Sequence, residues 1–207
     1  MSVRIVEGET RLINLRTRMP FKYGIATMTD VPYAFLRLAV EINGNIYEGY
    51  SADNLPPKWF TKIPETPLGG EMTEMLRVIE HARETAIGLQ ADTPFDLWLD
   101  LYEAQSAWGD CENLAPLLSG FGTSMVERAL IEAACRAANK PFAAAVRDQD
   151  LGIAMAAIQI QLSTTKPHEW LSGQPLQSII ARHTVGLADP LTPADIPADE
   201  VVADQLP

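Results

Sequence analysis

Residues 33–50 read YAFLRLAVEINGNIYEGY. Two runs rich in aromatic and branched apolar residues flank Asn43-Gly44. That dipeptide is the strongest two-residue hairpin signal, because both central positions of a type I′ turn need positive φ. The stretch therefore predicts an antiparallel hairpin. Upstream, Arg4-Ile5-Val6 and Arg11-Leu12-Ile13-Asn14-Leu15-Arg16 alternate in part, as a half-buried strand does. Together these segments predict a three-stranded antiparallel meander.

Two long connections are unusually apolar. Residues 19–30, MPFKYGIATMTD, read as a loop between strands, yet such loops are ordinarily short and polar. Residues 51–60, SADNLPPKWF, contain paired prolines that forbid regular structure, and they end in two large aromatics.

The middle of the chain changes period. From Glu71 to Gln90, the residues Met75, Leu76, Ile79, Ala82, Ala86 and Leu89 fall on one helical face. Thr93-Pro94 reads as an N-cap followed by proline at the first helical position. Ser124-Met125-Val126-Glu127 fits a capping box and predicts a helix start there. Asn139-Lys140-Pro141 predicts its end. Strands first and helices afterwards mean α+β, not alternating α/β. Leu176–Gly186 reads as one further strand, followed by a Pro- and Asp-rich tail.

Composition narrows the function classes. The net charge of −11 disfavours a nucleic-acid binder, which needs a basic face to replace counterions. The sequence has no apolar run of about 18 residues and no signal-peptide core, so neither a membrane span nor export is expected. Two cysteines make no disulfide framework, and a reducing cytoplasm is the expected compartment.

The order of these motifs resembles the enolase superfamily, specifically the mandelate racemase / muconate lactonizing enzyme branch. The residues that carry the resemblance are RMPFKYGIATMTD, EINGNIYEGY, SMVERALIEAACRAANKPF and SIIARHTVGLADP. The resemblance covers roughly residues 1–190. It implies an α+β capping domain over residues 1–140, then a linker and the first strand of an incomplete (β/α)8, TIM-type barrel over residues 141–207. It also implies that the two apolar connections close over a substrate. The substrate-capping residues would be Phe21, Tyr23, Ile25, Met28 and Trp59, packing against a ligand and excluding water. For the complete family enzyme it implies Mg2+, a small carboxylate substrate and removal of the proton α to that carboxylate. Racemisation, epimerisation, cycloisomerisation and dehydration are the reaction types of that family.

The sequence departs from the family in length. A barrel takes about 250 residues, and no lysine follows Lys166 to supply the family's acid/base strand. No catalytic residue, metal ligand or cofactor site is therefore carried over, and the chain is expected to be a truncated, inactive portion of such an enzyme. The alternatives are a binding or assembly module that self-associates through exposed loops and an unpaired strand, or a freestanding α+β domain. Among the histidines, His81 is expected to form a solvated pair with Glu84, and His168 to lie at the surface. His183, in the expected last strand, has no acid spaced near it. The acidic tail, Asp189 to Asp204, is expected to be solvated.

Overall fold

The computed structural model describes residues 2–23, 26–56, 58–60, 67–169, 171, 173–174, 176–182 and 190–196. Asn43 and Gly44 have φ of 52° and 83°, the two positive values a type I′ turn needs. The chain reverses there between strand β2 (Ala26–Ile42) and strand β3 (Asn45–Asn54). Strand β1 (Val3–Tyr23) pairs antiparallel along the other edge of β2. A two-residue strand, β4 (Gln90–Ala91), pairs with Val3 and Arg4 and completes the order β3-β2-β1-β4. The expected meander is present, with this short fourth strand added at its edge.

Alternation along β2 sets the layers. Ala34, Leu36, Leu38, Val40 and Ile42 point inward and are buried, while Phe35 on the opposite face is exposed. A bulge at Val6 restores register on β1: Ile5 faces Val40 but Glu7 faces Ala39, leaving Val6 unpaired and exposed.

Three helices cover the inner face. Helix α1 spans Leu68–Ala86, α2 spans Pro94–Cys111 and α3 spans Pro116–Ala138. Helix α3 lies across β3 and β2, with α1 and α2 packed around it. Its approach to the sheet depends on Gly49. A Cβ built there would lie 1.9 Å from the Ala129 carbonyl oxygen. Gly122 plays the same part against α1, where a Cβ would lie 2.0 Å from the Val78 oxygen. The helix ends follow local chemistry. Thr93 Oγ1 accepts from the Asp96 amide at 3.1 Å and donates to Asp96 Oδ2 at 2.7 Å. Asn139 closes α3 in the left-handed region, with φ 52° and ψ 44°.

Beyond α3 lie short pieces: α4 (Phe142–Arg147), α5 (Met155–Ile158) and 3-10 turns at Ile160–Leu162, Pro167–Glu169 and Pro193–Asp195. Among the described residues, no helix is long and apolar enough to cross a membrane.

Three expectations need correction. First, residues 19–30 are not a loop between strands. Phe21 pairs with Met28, Lys22 with Thr27 and Tyr23 with Ala26, so β1 and β2 run on as a long hairpin arm. Between the pairs Arg16–Asp30 and Phe21–Met28, residues 17–20 on β1 face only Thr29 on β2. That irregularity breaks the two-residue period and accommodates Pro20, which cannot donate to a ladder. Second, α3 begins at Pro116 and not at Ser124. The Ser124 hydroxyl instead donates back to the Phe121 carbonyl within the helix. Third, residues 176–182 form no strand. Ile179 and Ile180 are 83% and 97% exposed, and among the described residues no strand lies beside the segment to pair its backbone groups. Residues 183–186, His183 among them, lie outside the described residues. In the tail, Asp195 caps a turn by accepting from the Thr192 amide and hydroxyl, each at 2.9 Å.

Candidate functional site

The hairpin arm and the 51–60 segment meet above the first turns of α3. Phe21 from β1, Met28 from β2, Trp59 from the 51–60 segment and Leu117 from α3 line one open cleft of about 830 Å³. Asp53 and Asn54, at the end of β3, and Ser124 contribute the polar side. The rest of the lining is apolar or aromatic, including Phe60 and Phe121. A cleft of this size, with apolar walls and few polar groups, is the usual form of a small-molecule site.

Each wall has a local cause. Residue Leu55 is fully buried, and its amide donates to the Pro32 carbonyl at 2.9 Å, which pins the chain as it leaves β3. Lys58 then takes a positive φ of 61°. Its amide donates to Glu71 Oε2 at 2.6 Å, and its Nζ donates to Glu71 Oε1 at 3.0 Å. Both side chains of this pair are less than a tenth exposed. The residues that follow diverge. Phe60 packs on Phe121 with ring centroids 5.0 Å apart, while Trp59 stays 58% exposed at the rim. The buried Lys58–Glu71 pair thus acts as a clamp that presents Trp59.

Among the described residues, Asp53 is the charged residue in the lining of the cleft. Arg128 NH2 donates to Asp53 Oδ2 at 3.1 Å, Arg128 NH1 donates to the Ala52 carbonyl at 3.1 Å, and Arg128 Nε donates to the Ser124 carbonyl at 3.2 Å. The guanidinium therefore ties the end of β3 to α3. With Asp53 paired to Arg128, the cleft offers a ligand chiefly its apolar and aromatic walls, so an apolar group is the part of a ligand that suits it. Gly120 leaves open space at the cleft floor, since a Cβ there would meet nothing within 4 Å.

Of the five expected capping residues, Phe21, Met28 and Trp59 share this cleft. The backbone of Tyr23 continues β1; its side chain and all of Ile25 lie outside the described residues. Sequence reasoning missed Phe60, Phe121, Leu117 and the Lys58–Glu71 clamp. Pro116 at the first position of α3 was an available signal, masked by Gly120 and Gly122, which ordinarily weaken a helix.

His81 does not pair with Glu84. Its Nδ1 lies 2.6 Å from Gln105 Oε1, and its ring stacks on Trp108 at 3.8 Å. The Gln105 amide nitrogen donates to the carbonyls of Val78 and Ser119. Gln105 Oε1 is thus left as the acceptor, which places a proton on His81 Nδ1. Arg83 takes Glu84 instead, at 3.1 Å. His168 is exposed, as expected. Among the described residues, no three His, Cys, Asp or Glu side chains converge as a metal ion would require.

No family model and no curated protein matches the sequence. Comparison with solved structures finds an enolase from Bradyrhizobium complexed with magnesium and mandelic acid, with 15% identity and a TM-score of 0.47 over 77% of this chain and 44% of that one. A mandelate racemase/muconate lactonizing enzyme-like protein from Rubrobacter xylanophilus has 18% identity and a TM-score of 0.48, over 70% of this chain and 33% of that one. A dipeptide epimerase from Enterococcus faecalis V583, complexed with Mg and L-Leu-L-Tyr, has 18% identity and a TM-score of 0.46, over 69% of this chain and 34% of that one. The chain spans less than half the length of each of these structures. At these identities and scores they stand as resemblances, and the functional reading rests on the cleft.

Proposed function

We propose that this chain supplies the substrate-capping part of an enzyme of the mandelate racemase / muconate lactonizing enzyme type, with residues 1–140 as the capping domain. The complete enzyme would remove the proton α to a carboxylate, and Mg2+ would stabilise the resulting enediolate. The supporting observation is that Phe21, Met28 and Trp59, from separate segments, line one open apolar cleft. In this reading the cleft holds the apolar end of the substrate and keeps water from it. The carboxylate end would lie beyond these apolar walls, at the open mouth of the cleft. The described donor set does not fit Mg2+, so no catalytic step is assigned to this chain.

The test measures α-proton exchange in D2O with Mg2+ and mandelate, alongside chemical-shift mapping of mandelate and hexanoate. The expected result is no exchange, with ligand-induced shifts at Phe21, Met28 and the Trp59 indole. Exchange above the buffer rate, or shifts only elsewhere, overturns the proposal. Assembly is a second reading, because Leu12, Ile13 and Leu15 stand exposed on the hairpin arm. Sedimentation of the same sample as a monomer would remove it.

A further inference from the structure

A second groove opens further along α3. Phe95 and Trp98 of α2, Glu127 and Leu130 of α3, Phe142 at the start of α4, and Leu151 beyond it enclose about 260 Å³. None of its lining residues belongs to the first cleft. The floor is buried apolar surface at Pro94, Leu130 and Leu151. The walls are aromatic: Phe95 and Trp98 lie with ring centroids 5.3 Å apart, and Phe142 is exposed beside them.

Among the described residues, Glu127 is the charged residue in this lining. Among the described residues its carboxylate has no hydrogen-bond or ion-pair partner. Arg128, next in the chain, is turned to the opposite side, where it holds Asp53. Burial pushes the Glu127 carboxyl above its ordinary range, and the charge of Arg128 only partly opposes this. A carboxylate among apolar walls is short of a counter-charge. A neutral apolar ligand would remove its remaining water and return nothing. A cation would compensate it, and aromatic faces attract cations through their negative quadrupole face.

We propose that this groove binds a small organic cation, an alkylated ammonium, with Glu127 as its counter-charge and Phe95, Trp98 and Phe142 as its aromatic walls. The size of the groove restricts it to small ligands. It does not depend on the capping role of the first cleft.

The test uses choline and its neutral isostere 3,3-dimethylbutan-1-ol, which differ only in nitrogen replacing carbon. Binding is read by calorimetry and by the NMR shift of the Trp98 indole N–H. Choline is expected to saturate and to bind about tenfold more tightly than the isostere. Glu127→Gln, which keeps shape and removes charge, is expected to abolish that preference. Trp98→Leu, with fold confirmed by its amide spectrum, is expected to weaken choline. Absence of saturable choline binding, equal binding of the isostere, or undiminished preference in Glu127→Gln overturns the proposal.

Discussion

Substituting Gly49 by alanine tests whether the separation of sheet and helix is fixed by that glycine. The added Cβ would lie 1.9 Å from the Ala129 carbonyl oxygen, 2.8 Å from the Ala133 nitrogen and 2.9 Å from the Ala129 carbonyl carbon. Ordinary carbon–oxygen approach is about 3.3 Å. Helix α3 would therefore have to retreat by about 1.4 Å, or β3 would have to bend. The atoms met are backbone, so no rotamer change relieves the contact. Overpacking of cores costs about 1–3 kcal/mol and occasionally more, and this case belongs at about 3 kcal/mol or above. That is a large share of the ~5–15 kcal/mol that holds a domain together. With a urea slope of about 2 kcal/mol/M, the unfolding midpoint should fall by about 1.5 M. Gly69→Ala is the control, because a Cβ there meets nothing within 4 Å, and it should cause no loss. A Gly49→Ala midpoint within about 0.3 M of the parent would refute the close-packing argument.

Glu71→Ala should remove the clamp behind Trp59 and take from the Lys58 ammonium its carboxylate partner at 3.0 Å, where the lysine side chain is less than a tenth exposed. Breaking a buried pair costs about 3 kcal/mol. Trypsin cleavage after Lys58 should then accelerate relative to other sites, and an unchanged cleavage pattern would contradict the clamp. The Glu127 carboxyl, raised by burial, binds its proton more tightly in the folded than in the unfolded chain. Its contribution to stability is therefore present below the ordinary carboxyl value of 4.5 and is lost as pH rises through the higher folded value. Glu127→Gln should be the more stable protein at pH 7, and its advantage should fade as pH falls through the raised folded value and be gone below the ordinary value of 4.5. Urea midpoints of both proteins across this range check the sign, and an advantage that grows on acidification would reject it.

The readings that succeeded rested on chemistry within a few residues. Asn43-Gly44 gave the turn because few other pairs tolerate positive φ twice. Thr93 caps α2, and Asn139 ends α3, by bonds or dihedrals formed within three or four residues. The readings that failed needed partners distant in sequence. Residues 19–30 looked like a loop because the irregularity at 17–20 hides the strand period. The true start of α3 was obscured because Gly122 suits the Val78 carbonyl of another helix better than it suits its own. His81 was matched to its neighbour Glu84, whereas Gln105 and Trp108 of α2 take it.

For the candidate site, the sequence by itself determined that two apolar segments would stand near the sheet, with Phe21, Met28 and Trp59 among their residues. Tertiary structure decided that these three share a cleft with Phe121 and Leu117, and that Lys58 is fixed by Glu71, thirteen residues away. It also decided that Glu127 is left facing an aromatic groove instead of a cap. Hydrophobic pattern and φ preference are properties of a short run of chain. Which surfaces finally touch depends on where close packing can place whole helices, and here Gly49 and Gly122 set those distances.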